Sequence, residues 1–154
     1  MDTQSENPKD PFLRKVLVLN GPNLNLLGTR EPEIYGHDTL QDIEARLVKL
    51  GTALDLEVEC RQSNHEGVLV DWLHEARGRV HAVLLNAGAY THTSIALLDA
   101  IKATELKVIE VHLSDPETRE EFRHLSYISM AAIDCVKGLG ARSYEVALER
   151  AAAL

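Results

Sequence analysis

The chain has 154 residues, of which 45% are hydrophobic, and its formal net charge at pH 7 is −8. This length and apolar fraction suit one globular domain with a substantial core. The acidic balance argues against a nucleic-acid surface, which normally shows a basic excess, and no apolar run approaches the roughly 20 residues that span a bilayer. An anionic ligand would therefore need a local cluster of arginines.

The N-terminal segment, residues 1–15, is polar and lacks the apolar core of a signal peptide. Its sequence is MDTQSENPKDPFLRK. We expect a flexible tail over residues 1–15, a single domain over residues 16–154, and a cytoplasmic protein.

The first predicted strand, Val16 to Leu19, runs directly into an Asn-Gly-Pro-Asn turn. The segment that follows carries Arg30 and Tyr35 between glycine and proline breakers. Such a segment at the mouth of a sheet is typical of a loop that closes over a ligand. An arginine beside a tyrosine can also make the phenol more acidic, and a phenolate is a base.

Helical and strand-like segments alternate along the rest of the chain. Helices are predicted over residues 39–54, 66–77, 93–104, 116–125 and 142–154, and strands over 57–62, 80–86, 107–113 and 133–137. Thr39 is the predicted N-cap of the first helix, whose leucines and isoleucine recur every three or four residues. This alternation predicts an α/β fold, a flavodoxin-like doubly wound five-stranded parallel sheet with helices on both faces.

Polar residues gather where the predicted strands end. In an open α/β sheet the ligand binds outside these carboxyl ends, where the winding direction switches. The residues that follow the first, third and fourth strands are Asn20 and Asn23, then Asn86, Thr91 and His92, then His112, Leu113, Ser114 and Asp115. The pattern predicts a small-molecule site.

The turn after the fourth strand has two readings. Ser114 to Glu117 fits a capping box, with Ser114 or Asp115 as N-cap, and the free N–H groups of such a turn can also bind an anion. Arg119 and Arg123 are spaced to share a helix face, where they could clamp an anion or simply be solvated.

Of the seven histidines, only His92 and His112 fall at strand ends. No metal-ligand spacing surrounds them, so no metal site is predicted. His112 is interpreted as an acid–base group, since an imidazole has an unperturbed pKa of about 6.5. Cys60 and Cys135 lack the spacing of a redox pair and are expected to be buried, reduced thiols.

Five segments together resemble type II dehydroquinase, also called 3-dehydroquinate dehydratase. They are NGPNLNLLGTREPEIYG, QSNHEG, LNAGAYTHTS, IEVHLSDPETREEFR, and the Ser126-Tyr127 step with the later Gly-Leu-Gly. They occur in the family's order and span nearly all of residues 16–148. The N-terminal tail is longer than usual, and Leu125 precedes Ser126 where another residue can stand.

The resemblance implies an anti elimination of water from 3-dehydroquinate through an enolate, giving 3-dehydroshikimate without a metal or cofactor. Tyr35 is implied to be the base, with Arg30 beside it. Asn23 is implied to hold the water that steadies the enolate. His112 is implied to protonate the departing hydroxyl, and Glu110 to orient it.

The remaining implied roles concern substrate binding and assembly. The residues implied to hold the substrate are Asn86, His92, Leu113, Ser114 and Arg123, with Asp99 reaching into a neighbouring subunit's site and Arg119 in support. The family assembles as trimers packed into a homododecamer. No nucleic acid or membrane partner is implied.

Two other classes of protein remain to be distinguished. One is a flavodoxin-like binding module, either a flavin carrier or a receiver domain. A receiver domain requires an aspartate at the end of the third strand, where this chain has Asn86. A flavin site requires a Ser/Thr-rich phosphate loop after the first strand, where this chain has Asn-Gly-Pro-Asn. The other is a metal-dependent hydrolase built on His92, His112 and Asp115, which a chelator would inactivate.

Overall fold

The structure, a computed structural model, describes residues 14–29 and 31–154, except for the side chain of Tyr35. The predicted tail up to residue 13 and the predicted activator Arg30 therefore lie outside the described residues. The side chain of the predicted base Tyr35 does so too.

The centre of the fold is a parallel sheet of five strands. They are β1 (Arg14–Asn20), β2 (Leu56–Gln62), β3 (Ala82–Asn86), β4 (Val108–Val111) and β5 (Asp134–Val136). The strands lie in the order β2-β1-β3-β4-β5, and every neighbouring pair is parallel. This is the flavodoxin-like order, in which the winding direction switches between β1 and β3, so the predicted fold class is confirmed.

Within the part of the chain that the structure describes, five α-helices connect or follow the strands. They are α1 (Pro32–Tyr35), α2 (Leu40–Ala53), α3 (Glu66–Ala76), α4 (Ile95–Thr104) and α5 (Arg142–Ala152). None of the described helices has the length and apolar character to cross a bilayer.

The two faces of the sheet are covered by different helices. Along β1, Val16 and Val18 belong to a core cluster that includes residues of α2 and α5, whereas Leu17 and Leu19 belong to one with residues of α3 and α4. Because successive side chains of a strand point to opposite faces, an unbroken apolar run serves both layers.

The predicted start of α2 is confirmed in detail. The Thr39 hydroxyl accepts a hydrogen bond from the Asp42 backbone N–H at 3.1 Å, and the Asp42 carboxylate accepts one from the Thr39 N–H at 3.0 Å. This reciprocal capping box satisfies donors that the first turn would otherwise leave unpaired.

Two expectations are corrected. β1 begins at Arg14, so the last two residues of the predicted tail belong to the sheet, and the Arg14 guanidinium donates to the Ala152 carbonyl at 3.1 Å. The predicted helix 116–125 is wrong: the segment forms two 3-10 turns, Pro116–Thr118 and Glu121–Arg123. Between them Arg119 has an extended backbone, with φ −107° and ψ −162°, which interrupts the helical path.

Candidate functional site

A pocket of about 240 Å³ opens at the carboxyl ends of β1, β3 and β4, beside the switch point. It is lined by Pro22, Asn23, Leu24, Asn86, Gly88, Ala89, His92, His112, Leu113, Ser114, Pro116, Arg119 and Arg123. Eight of the predicted site residues are in this set, including both strand-end histidines. The structure thus brings these strand mouths together at one pocket, and a small-molecule site there stays a prediction.

The floor of the pocket depends on a close approach of the loops after β1 and β3. The Gly21 N–H donates to the Asn86 carbonyl at 2.8 Å. A Cβ at Gly21 would lie 2.4 Å from the Ala87 carbonyl oxygen, so no larger residue fits. Gly88 has a φ of +59°, a conformation that glycine adopts without strain.

His112 is held from behind by a buried carboxylate. Glu110 and His112 lie two residues apart at the end of β4, so their side chains share one face of the sheet. The His112 Nε2 lies 2.5 Å from the Glu110 carboxylate, and both residues are buried. Since Glu110 engages Nε2, Nδ1 is the ring nitrogen left to serve the pocket.

Two serines complete the environment of Glu110. Ser126 donates to one carboxylate oxygen at 2.7 Å, and Ser129 donates to the other. Burial raises the pKa of Glu110, but the hydrogen bonds from His112 and both serines outweigh this, so the pKa lies below its usual value of 4.5. The ionised carboxylate therefore adds to the free energy of unfolding above that pH, and the contribution is lost as the pH falls through the folded-state pKa.

Asn86 is oriented by a network that the sequence did not predict. Its side-chain N–H donates to the Tyr144 hydroxyl at 2.8 Å, and that hydroxyl donates to the Asn20 side-chain oxygen at 2.5 Å. The Asn86 side-chain oxygen accepts from the Gly88 N–H at 3.2 Å. Burial raises the pKa of Tyr144, which keeps the phenol neutral as a donor. No local signal marks Tyr144, which comes from α5, 58 residues further along the chain.

His92 is fixed as a neutral ring. Its Nδ1 donates to the Leu125 carbonyl at 2.8 Å, which leaves Nε2 as the acceptor. Burial lowers the pKa of His92, and the nearby His112 and Arg123 lower it further, although the Leu125 hydrogen bond opposes them. A neutral His92 in this wall of the pocket can accept a hydrogen bond from a ligand hydroxyl.

The turn after β4 shows which residue caps it, a choice that the sequence left open between Ser114 and Asp115. Asp115 is the N-cap, since its carboxylate accepts from the Glu117 N–H at 3.0 Å. The Ser114 hydroxyl is instead 3.5 Å from the Arg119 guanidinium at the wall of the pocket. Arg123 also lines the pocket, and its Nε donates to Glu120 at 2.9 Å. Both arginines thus border the pocket, as a local anion site requires.

Asn23 also lines the pocket, in the turn after β1, where its backbone is left-handed. It is exposed, its φ is 71°, and its backbone N–H donates to the Asn64 side-chain oxygen at 3.0 Å. The same oxygen accepts from Gln62 at 3.1 Å, and the Asn64 carbonyl accepts from the Tyr90 hydroxyl at 2.8 Å. Asn64 therefore joins the loops after β1, β2 and β3.

The predicted lid borders the mouth of the pocket. Glu31 and Ile34 line an open depression of about 610 Å³ together with Ser114 and Arg119. Tyr35 is the last residue of α1, directly after Ile34. Asp99, by contrast, is exposed on α4 and does not line the pocket of its own chain.

Beyond the predicted residues, Cys135 and Lys137 line a small cavity of about 60 Å³ together with His112. Glu110, His112 and Cys135 place potential metal-ligating atoms within 4.8 Å of one another, and they are the only such group of three among the described residues. No spacing in the sequence indicated this group, because sequence spacing does not show which strands are neighbours. Both cysteines are free and half-buried, rather than fully buried. Lys137 pairs with Glu117, which raises its pKa and keeps it an ammonium group.

Comparisons with known proteins agree with this geometry. The family model described as Dehydroquinase class II matches residues 14–152. A 3-dehydroquinate dehydratase of Variovorax paradoxus is 57% identical over 141 residues, covering 88% of this chain and 97% of the relative. One of Corynebacterium glutamicum is 56% identical over 138 residues, covering 90% and 95%. The crystal structure of the type II dehydroquinase from Propionibacterium acnes superposes with a TM-score of 0.88 at 44% identity, covering 92% of this chain and 97% of that one. The chain therefore belongs to the class II dehydroquinase family.

Proposed function

We propose that this protein is a 3-dehydroquinate dehydratase, a hydro-lyase of the shikimate pathway that works without a metal or cofactor. The reaction is an anti elimination of water from 3-dehydroquinate through an enolate, giving 3-dehydroshikimate. The observation that carries the proposal is a histidine, His112, fixed by buried Glu110 in the wall of a pocket with two arginines and two asparagines. Membership of the class II dehydroquinase family supports the choice of 3-dehydroquinate as the substrate.

The first step is removal of a proton next to the substrate ketone, which we assign to Tyr35. An unperturbed phenol has a pKa of about 10, so only about one part in a thousand is ionised at pH 7. A cation within about 4–6 Å lowers such a pKa by about 1–3 units, which is the role we assign to Arg30. Arginine suits this role because it stays charged when desolvated, whereas lysine can lose its proton.

The second step is departure of the hydroxyl group. The enolate formed by Tyr35 is stabilised through a water molecule held by Asn23. Its electron pair then re-forms the ketone and moves the new double bond into the ring as the carbon–oxygen bond breaks. His112 donates a proton from Nδ1, so the hydroxyl leaves as water, and the negative charge of Glu110 stabilises the protonated ring beforehand.

The remaining pocket residues bind the substrate. Asn86, the backbone of Leu113 and Ser114, and the Ser114 hydroxyl hold the substrate carboxylate and a neighbouring hydroxyl. Neutral His92 and Arg123 take ring hydroxyls. Arg119 and Arg123 supply the local positive charge that an anionic substrate needs in a chain with a net charge of −8.

The proposal extends to assembly and location. The active form is a homododecamer of trimers in the cytoplasm, in which Asp99 of one subunit contacts the site of its neighbour. The exposed position of Asp99 on α4, outside the pocket of its own chain, is compatible with such a role.

The test is to mix the purified protein with 3-dehydroquinate and follow the conjugated enone product by its ultraviolet absorbance. The native protein, with chelator present, should turn over the substrate. Tyr35→Phe should lose at least about 100-fold in kcat, since a general base contributes about 10²–10⁴-fold. Tyr127→Phe is the matched control, because Tyr127 is half-buried outside the pocket.

Undiminished turnover by Tyr35→Phe would contradict the assignment of the base. Absence of any enone from the native protein would contradict the activity itself. Inactivation by the chelator would instead favour the metal-dependent hydrolase, and a yellow preparation would favour a flavin carrier.

A further inference from the structure

Three potential metal ligands lie on one face of the sheet because of strand register. Glu110 and His112 are two residues apart and share a face. Cys135 on β5 is the direct partner of Glu110 in the parallel pairing of β4 with β5, so its side chain points the same way. The three residue types, carboxylate, imidazole and thiol, are all ligands of Zn²⁺.

The distances suit a shared ion after a small adjustment. The three ligating atoms lie within 4.8 Å of one another. A tetrahedral site with bonds of about 2.0–2.3 Å places its ligand atoms about 3.3–3.8 Å apart, so the thiol has to move inward by about 1 Å. The His112 Nε2 and the Glu110 oxygen, now 2.5 Å apart, would have to separate by about 0.8 Å as a metal replaces the proton between them.

The three ligands also border space outside the substrate pocket. A small cavity of about 60 Å³ borders His112, Glu110 and Cys135. Glu110 and Cys135 also line a separate depression of about 190 Å³ together with Ser129, Ala132, Ile133 and Asp134. The Glu110–His112 pair is therefore bordered by open space on the side of β5 as well as by the substrate pocket.

The charge around the thiol favours a cation. The carboxylates that act on Cys135 are those of Glu110, Asp134 and Asp115. Among the described residues that act on it, Lys137 is the opposing cation. Its ammonium group is paired with Glu117 and lies 3.6 Å from Asp115, so much of its charge is already compensated.

We propose that Glu110, His112 and Cys135 form an inhibitory site for a thiophilic divalent cation such as Zn²⁺. Binding releases the thiol proton and the proton shared by His112 and Glu110, and the fourth ligand is water. His112 then becomes a metal ligand through Nε2. It can give up its Nδ1 proton only by forming a metal-bound imidazolate, a far weaker acid than imidazolium. The predicted loss of activity rests on the function proposed above, whereas the binding itself does not.

The binding arm of the test uses Co²⁺ as a spectroscopic substitute for Zn²⁺. The native protein should show a thiolate-to-cobalt charge-transfer band in the near ultraviolet. The band should be absent in Cys135→Val and in Cys135→Ser. It should persist in Cys60→Val, a matched control whose thiol lies on β2 at the opposite edge of the sheet.

Titration calorimetry with Zn²⁺ measures how much affinity the thiol contributes. Cys135→Val should bind Zn²⁺ at least about 100-fold more weakly, since loss of a ligand should exceed the 10–100-fold cost of losing a residue that only orients one. Circular dichroism on each variant checks that it is folded. If Cys135→Val does not fold, Cys135→Ser replaces it, because serine preserves the size of the cysteine side chain.

The activity arm separates this proposal from the proposed function. Zn²⁺ should inhibit the native protein and Cys60→Val, and a chelator should restore both. Cys135→Val should turn over 3-dehydroquinate normally without Zn²⁺ and be at least about tenfold less sensitive to it. A cobalt band in Cys135→Val, or equal Zn²⁺ affinity in the two proteins, would overturn the site. A cobalt band in a native protein that forms no enone would leave the site standing and overturn the dehydratase activity.

Discussion

At the scale of single residues, the chemistry of His112 depends on Glu110. A buried carboxylate is costly unless its oxygens are hydrogen-bonded, and here one histidine and two serines satisfy them. The carboxylate fixes which ring nitrogen faces the pocket and supplies the counter-charge of the protonated ring. Glu110 is therefore a positioning residue in the proposed mechanism.

Glu110→Gln tests this role. The amide can still hydrogen-bond to His112, but the protonated ring loses its counter-charge, so less of it is available as an acid at neutral pH. We expect kcat to fall about tenfold or more, with KM changed by less than about threefold, and the alkaline limb of the pH profile of kcat, where the general acid is deprotonated, to move to lower pH. Steady-state kinetics across pH measure all three.

Ser129→Ala is the control for Glu110→Gln. It removes one hydrogen bond to the carboxylate but keeps the charge, so the pH profile should stay in place. If both variants gave the same profile as the native protein, Glu110 would have only a structural role.

At the scale of secondary-structure elements, the site depends on how closely the loops after β1 and β3 approach each other. Gly21 donates across the gap to Asn86, the residue that is itself oriented by Tyr144. The absence of a Cβ at Gly21 is what allows the 2.8 Å contact. One glycine thus sets the separation of two loops that carry Asn23 and Asn86.

Gly21→Ala should be strongly destabilising. The added Cβ would meet backbone atoms of Ala87 at 2.4 Å, and backbone cannot rotate away as a side chain can. We expect a loss of about 2 kcal/mol or more in the free energy of unfolding, measured by chemical denaturation.

Gly67→Ala is the matched control for Gly21→Ala. Gly67 lies in α3, and a Cβ there would meet nothing within 4 Å. It should raise the free energy of unfolding by about 0.5–1 kcal/mol, because alanine loses less conformational entropy than glycine in a helix. Equal destabilisation of the two variants would show that the contact with Ala87 is not the cause.

The packing of elements also explains why the prediction of one helix over residues 116–125 was wrong. Charged residues at helical spacing and a proline in the first turn favoured one helix. In the structure Asp115 caps a single 3-10 turn, and the extended backbone of Arg119 redirects the chain into a second turn. The two turns bring both Arg119 and Arg123 to the pocket. Local propensity could not anticipate this arrangement, because the segment packs against loops from other strands.

At the scale of the whole molecule, the proposed assembly makes a prediction about Asp99. If subunits share sites, Asp99→Ala should lower kcat/KM by about tenfold, the value of one hydrogen bond to a charged group, while the oligomer stays intact. Light scattering establishes the oligomeric state, and kinetics on the same sample give the activity. Asp71→Ala, which changes another exposed aspartate on α3, is the control.

Full activity of Asp99→Ala in a confirmed oligomer would remove the shared site from the proposal. A variant that dissociates and loses activity would instead assign Asp99 to assembly. In that case, raising the protein concentration should re-form the oligomer and restore turnover.

The sequence by itself determined the sheet and the edge at which the site lies. Apolar runs such as Val16 to Leu19 and alternating amphipathic helices specify a parallel sheet, and polar residues after the strands mark its functional edge. The motifs around Asn23, Asn86 and His112 also predicted the family, because local sequence order is preserved there.

Only the tertiary structure decided which side chains act together across the chain. The Tyr144 hydroxyl reaches Asn20 from 124 residues away, and Cys135 meets Glu110 only because β5 lies beside β4 in that register. Such contacts join segments that share no local pattern. Their positions depend on strand order and pairing, which arise when the two apolar layers close over the sheet.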